Sequence, residues 1–515
     1  MNEVGIKYIF GLRICFMAKI VKKYPFSEYY SEKEPLSHDQ QEAADYLIEL
    51  IHRRKSVDSF CNRFPKSSKR EVQLFLDTLD VVSINRPLEE KEKKEFLQDL
   101  ATVLHFVPES DKVAKRILNE VHGYILLQQL FDDDELEEIM VNGIDQVFAY
   151  HRKYGICKTN LKFESIDQLQ ELISQMGFEA NAEYADLRLA DGSRANIIVP
   201  TAVKEPSITV RKFRQKPFSV IELIEKQTLN PELGAYLWVA IEGLIFFPLN
   251  IMVAGGTAAG KTTTLNALSS FIPASDRIVT IEDTPELNFF ERENWVQMVT
   301  TDRIDLPGLL KNCLRMRPDR ILVGDIRGEE ATTLFTAMNT GHRGAMGTLH
   351  ANNDRDAIKR LENEPMSVPR SMIPLADIIM IQHRVYDRRH GLIRRVTHVS
   401  EISRLEDEIA LNPVFTWNFE TDDIERTKFS SEAIEKLARM THLNKNEVKA
   451  EMEDRQRILE YLQEKKISKQ VEINKFMEKY YEKVFAEADT GEIQAKAAAA
   501  KRETLLKEHK KVGLS

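Results

Sequence analysis

The sequence predicts an α/β protein: a doubly wound, mainly parallel sheet over residues 220–400, a preceding α+β domain, and helical regions at both ends. Three observations carry that expectation. Buried-strand runs at 250–254, 277–281, 320–323 and 344–349 are separated by helical patterns, and a fifth follows at 377–381. The first run ends in a glycine-rich turn that leads into a helical pattern. The 515 residues are 43% apolar and 30% charged, a globular balance. At roughly 150 residues per domain that length suggests about three domains.

Residues 1–115 form a helical N-terminal region. Helical spacing runs over 38–54, 71–81 and 87–105, punctuated by Pro65 and Pro108. The charge run from Glu89 to Lys94 reads as a solvated helix face. Residues 116–217 form the α+β domain, with β-like runs at 138–141, 147–150, 196–199 and 208–210 and a helix over 166–176. Lys216-Pro217-Phe218-Ser219 reads as the hinge that leaves it. Residues 218–400 hold the parallel sheet. Residues 401–515 read as mostly helical and end in a Lys- and Ala-rich tail.

Composition excludes several classes. A net charge of −9 argues against a constitutive nucleic-acid binder. Cys15, Cys61, Cys157 and Cys313 are too sparse for a disulfide framework and too far apart for a CxxC metal pair, so a reducing, cytoplasmic setting is expected. No run reaches the roughly 20 apolar residues of a membrane span. The apolar N-terminal run, 1–23, is broken by Lys7 and Arg13. It reads as a frayed extension, with Met17 as a candidate start, or as a segment lying on a membrane surface.

The residues that carry chemistry begin at Gly255-Gly256-Thr257-Ala258-Ala259-Gly260-Lys261-Thr262, a complete GxxxxGK[ST] between a strand and a helix. Glycines let backbone N–H groups curl round phosphate oxygens, and the helix N-terminus adds its positive end. Gly255 through Thr263 are therefore the expected nucleotide-binding segment, with Lys261 reaching the β- and γ-phosphates and the Thr262 hydroxyl on Mg²⁺. A second strand ends in Glu282-Asp283 and a third in Gly324-Asp325. Ligands in open α/β sheets sit beyond the carboxyl ends of strands, which is where these acids fall. Asp325 is expected to hold Mg²⁺ through water. Glu282 is expected to orient or activate the attacking water and to belong, with Thr262 and Asp325, to the metal site. His350 ends the next strand and is expected to sense a γ-phosphate; His342 is a weaker candidate for the same role.

These blocks resemble the type II/type IV secretion ATPase family, and Arg360-Leu361-Glu362-Asn363-Glu364-Pro365 and Val368-Pro369-Arg370 after them resemble its archaeal GspE-type branch. The resemblance rests on the phosphate loop, Ile281-Glu282-Asp283-Thr284-Pro285-Glu286-Leu287, Leu314 to Asp319 leading into Val323-Gly324-Asp325-Ile326-Arg327-Gly328, and Ala337 to His350. It spans about 125–415. It implies a RecA-like core, ATP and Mg²⁺, and a homohexameric ring. It also implies a cytoplasmic place at the inner face of the cell membrane, peripherally associated with a polytopic platform protein. A pilin-like or secreted substrate would be served indirectly, as in pili, archaella and secretion systems; no nucleic acid and no zinc are expected. The resemblance further implies that an N-terminal domain closes over nucleotide and supplies Arg194 and Arg211 to the phosphates. A guanidinium suits that role because it stays ionised and presents several donors in a plane. Two features depart from the family. Asp325 stands where many members have glutamate, which moves water activation toward Glu282. No cysteine follows Cys313, so the tetracysteine zinc insert of some members is absent. A hexameric helicase could use the same engine, but the acidity and the lack of a basic, aromatic stripe count against it. A nucleotide-gated switch with little turnover also stays open.

Overall fold

The computed structural model describes residues 19–22, 27–30, 36–51, 55–79, 90–179, 181–213, 217–289, 291–301, 303–387, 391–405 and 408–489. Most of the N-terminal run with Cys15 and Met17, Lys216 of the hinge, and the tail after 489 lie outside the described residues. The chain divides into two compact units, Met1–Phe213 and Arg214–Ser515.

The first unit opens with β1 (Lys19–Lys22) and β2 (Ser27–Tyr30), then the helices α1 (His38–Ile51), α2 (Val57–Arg63), α3 (Lys69–Thr78), α4 (Glu90–Val103) and α5 (Ser110–Val121). Ser56 and Ser68 cap α2 and α3 by accepting from backbone N–H groups one turn in. Leu47, Phe60, Leu100 and Ile117 form the centre of the helical core. The expected helices are present. The residues 27–30, taken with the helical region, are instead a strand; Tyr29 and Tyr30 are aromatic residues that favour a pleated surface.

After α6 (Gln128–Phe131) come β3 (Leu136–Asn142), β4 (Val147–His151), β5 (Gly155–Thr159), α7 (Ile166–Gln175), β6 (Tyr184–Arg188), β7 (Arg194–Ile198) and β8 (Ser207–Arg211). The sheet order is β1-β2-β5-β4-β3-β8-β7-β6. Strict alternation turns Ile139, Ala195, Ile197, Ile208 and Val210 into a core shared with Leu169 and Leu172 of α7. The opposite face of β6–β8 carries the polar set.

The second unit runs α8 (Val220–Glu225), α9 (Pro231–Glu242), β9 (Ile251–Gly255), α10 (Lys261–Leu268), β10 (Ile278–Glu282), β11 (Trp295–Val299), α11 (Leu306–Cys313), β12 (Arg320–Ile326), α12 (Glu330–Asn339), β13 (Met346–Leu349), α13 (Asp354–Glu362) and β14 (Ile378–Asp387). Then follow β15 (Gly391–Leu405), β16 (Glu408–Asn418), β17 (Asp423–Arg426), α14 (Glu432–Thr441), α15 (Lys445–Glu464) and α16 (Gln470–Asp489). Ser219, at the end of the expected hinge, caps α8 in a reciprocal pairing with Glu222.

The sheet order is β11-β10-β12-β13-β9-β14-β15-β16-β17. β11 through β14 are parallel neighbours, and β15 to β17 continue as antiparallel strands. The order β14-β9-β13-β12-β10, with the glycine-rich loop after β9, is that of a RecA-like core. Apolar layers cover both faces, which is why β9 and β10 are buried throughout. Among the described residues, the helical expectation for 401–515 holds over Glu432–Asp489. Residues 401–405, 408–418 and 423–426 are strand instead, because Val396, Val399, Val414, Phe415 and Ile424 extend the apolar layer past the parallel strands.

The C-terminal helices are anchored by a buried network. Arg455 on α15 donates to Glu242 Oε2 on α9 at 2.7 and 3.0 Å, and both residues are buried. Trp238 stacks on Phe271, and Tyr481 on α16 accepts from the Trp238 indole and donates to the Phe271 carbonyl.

Candidate functional site

The phosphate loop owes its shape to the strand before it and the helix after it. Parallel pairing aligns Ala254 of β9 with Leu349 of β13, Ile326 of β12 with Leu349, and Val323 with Ile281 of β10. The carboxyl ends of these strands therefore open onto one edge. The chain turns there with positive φ at Ala258 and Gly260. Gly255 must be glycine because a Cβ would lie 2.2 Å from the Gln382 carbonyl oxygen. Gly260 caps α10 with no side-chain bond, so the first N–H groups of that helix face the loop.

Lys261 is buried. Its Nζ donates to the carbonyls of Gly255 and Gly256, each at 3.2 Å, and sits 3.3 Å from Nε2 and 3.4 Å from Nδ1 of His350. Nε2 of His350 lies 3.5 Å from Oδ2 of Asp325. Burial first, then the Lys261 ammonium, holds the His350 pKa below the ordinary histidine value, with Asp325 opposing. The ring is thus neutral near pH 7 and can donate one hydrogen bond.

Asp325 Oδ2 accepts from Arg327 Nε at 2.6 Å. Its other oxygen, Oδ1, is buried and has no hydrogen-bond partner. A buried carboxylate oxygen with an unused lone pair fits a hydrated cation. The Thr262 hydroxyl belongs to the first turn of α10, at the loop.

Glu282 is 1% exposed. Its Oε1 accepts from the backbone N–H groups of Glu286 and Leu287, both at 2.8 Å, and its Oε2 accepts from Gln297 Nε2 at 2.9 Å. Burial pushes its pKa up to about 7 against the pull of those three donors. The backbone of β12 approaches it closely: a Cβ on Gly324 would lie 2.9 Å from Glu282 Cγ.

The fold thus brings together Lys261, His350 and Asp325 in one cluster and ends β10 in Glu282 along the same edge. His342 precedes β13, at the amino end of the parallel strands, and so belongs to the edge away from the loop. In the first unit, Arg194 and Arg211 stand directly opposite each other across β7 and β8. Arg188 stands opposite Arg194 across β6 and β7, extending the row. Arg188 was not singled out from the sequence; only the strand register places it on that face. Gln382 and Arg394, which abut the loop, were also not anticipated. The arginine-rich run over 384–395 was the available signal.

Residues 129–511 match the family model described as type II/IV secretion system protein. The chain belongs to the type II/type IV secretion ATPase family. Among its relatives is an uncharacterized protein of Methanocaldococcus jannaschii, MJ0900, 34% identical over 395 residues that cover 73% of this chain and 70% of that one. The probable conjugal transfer protein TrbB of Sinorhizobium fredii is 31% identical over 300 residues, 56% of this chain and 90% of its own. The type IV secretion system protein PtlH of Bordetella pertussis is 34% identical over 287 residues, 49% and 84% of the two chains. No helix among the described residues is long and apolar enough to cross a membrane.

Proposed function

We propose that this chain is an ATP-hydrolysing, hexameric motor. In this reading it works at the inner face of the cell membrane and powers a type IV pilus-like filament or type II-like secretion through a polytopic platform protein. The observation that carries the reading is the meeting of Lys261, His350 and Asp325 at the mouth of a glycine-rich loop, with Glu282 ending a strand of the same sheet.

The roles follow from the contacts. ATP phosphates replace the Gly255 and Gly256 carbonyls and His350 as the partners of Lys261, since three anionic oxygens are stronger acceptors for an ammonium than neutral groups. His350, neutral, then donates to the γ-phosphate and reports its presence. Asp325 Oδ1 and the Thr262 hydroxyl would hold a hydrated Mg²⁺, which when bound supplies charge neutralisation at the β- and γ-oxygens. Glu282, poised near neutrality, takes the proton of the attacking water, and its bonds to Glu286 and Leu287 tie that event to the 283–287 segment. The opposed Arg194 and Arg211 supply positive charge to the γ-phosphoryl group when the N-terminal unit closes over the core. Gain and loss of the γ-phosphate drive that closure because ATP favours one arrangement over the other.

Steady-state phosphate release by the purified protein, with its mass measured in parallel, tests the reading. A hexamer that turns over ATP, and loses turnover in Lys261→Ala and Glu282→Gln, is expected. A wild type that binds ATP without turnover, lipid included, would make it a switch.

A further inference from the structure

The side of the phosphate loop away from the acids is built by a hairpin that the roles above leave unused. β14 pairs with β9 there, with Gln382 opposite Gly255. β15 folds back on β14 with Arg384 opposite Arg394. Directly opposed residues of an antiparallel pair share a face, and alternate residues along a strand share it too. Gln382, Arg384 and Arg394 therefore line one face of the hairpin.

That face adjoins the loop. Arg394 Nε donates to the Ala258 carbonyl at 3.1 Å. A Cβ on Gly260 would lie 3.1 Å from Gln382 Nε2 and 3.2 Å from Arg394 Cδ.

The direction of the nucleotide follows from the strand order. Lys261 and His350 follow β9 and β13, Asp325 lies at the carboxyl end of β12 and Glu282 ends β10, so the γ-phosphate lies toward that side of the loop. The α-phosphate then lies toward β14 and β15, at the rim where the Ala258 bond holds the Arg394 guanidinium. Such a group, planar and always charged, matches a phosphate better than an ammonium would.

Resting on the nucleotide-binding reading of the loop, we propose that Arg394, backed by Arg384, binds the α-phosphate and positions the nucleoside half of ATP or ADP. This role differs from that of His350, which separates ATP from ADP.

The test is equilibrium binding of ATP, ADP and inorganic pyrophosphate, by displacement of a fluorescent nucleotide, to wild type, Arg394→Ala and Arg384→Ala. Pyrophosphate has no α-phosphate to offer when it fills the β and γ positions. In Arg394→Ala, ATP and ADP are expected to weaken equally, by about tenfold, the scale of one charge-assisted bond, while pyrophosphate is unchanged. Arg384→Ala, at an exposed position, should show the same pattern with a smaller loss and guards against a folding defect in the first variant. Equal loss for all three ligands would reduce Arg394 to a brace for the loop and overturn the proposal. Loss for ATP alone would move Arg394 to the γ-phosphate side and overturn it too, as would no loss in either variant. A wild type that binds no nucleotide would instead remove the reading on which the proposal rests, and Lys261→Ala supplies the control for that case.

Discussion

Glu282 invites a test that joins stability to catalysis. The residue is 1% exposed and burial raises its carboxyl pKa from an ordinary 4.5 to about 7. The folded state therefore holds a proton there that the unfolded chain has released between pH 4.5 and 7. The stabilisation linked to that proton is complete below the unfolded value and is lost as pH rises through the folded value. A shift of 2.5 units (7 less 4.5) corresponds to about 3 kcal/mol at 1.36 kcal/mol per unit. Glu282→Gln resembles the protonated acid, keeping one carbonyl oxygen for the Glu286 and Leu287 N–H groups. Denaturant melts at pH 5 and pH 8 should then show the variant gaining on wild type by about 2.5 kcal/mol between the two, most of that figure, since pH 5 already lies just above the unfolded value. Turnover should move the other way. Wild-type ATP hydrolysis should rise with pH through about 7 as the base ionises, and Glu282→Gln should be inactive at every pH. A stability difference that stays constant with pH would refute the claim that burial dominates this carboxyl.

Three further outcomes are expected. Arg455→Leu leaves the buried Glu242 carboxylate without its guanidinium and should cost about 3–5 kcal/mol in denaturant melts, with most of it restored by adding Glu242→Leu. Gly324→Ala drives a methyl to 2.9 Å from Glu282 Cγ, so melts should show a loss of about 1–3 kcal/mol and turnover should fall with it. Arg194→Ala and Arg211→Ala should each lower the steady-state rate by roughly a hundredfold or more, while binding of a fluorescent ATP analogue changes far less.

The features legible in the sequence were those written in contiguous residues. β9, β10 and β12 are unbroken apolar runs because they are covered on both faces. The phosphate loop with Lys261 is a local motif, and Glu282 and His350 fall at strand ends. β11 was missed because Trp295–Val299 is only half-buried at the sheet edge and carries Gln297 in its middle. β15 to β17 were missed because antiparallel strands alternate apolar and charged residues, and Asn412-Pro413 reads as a break. The side-chain partners are harder still. Glu282 meets Gln297 fifteen residues on, and Arg394 meets Ala258 across 136 positions. Neither pairing has a spacing that a pattern could reveal. The alignment of Arg188 with Arg194 and Arg211 depends on strand register, which cross-strand pairing sets and spacing along the chain does not.

In the proposed function the γ-phosphate is shared between the Lys261, His350 and Asp325 cluster and the Arg194–Arg211 pair. Determining the structure of the oligomer with a non-hydrolysable ATP analogue tests it most directly. Both guanidinium groups within hydrogen-bonding distance of phosphate oxygens, in at least one protomer, is the predicted result. Finding both remote from every bound analogue, in all protomers, would contradict it.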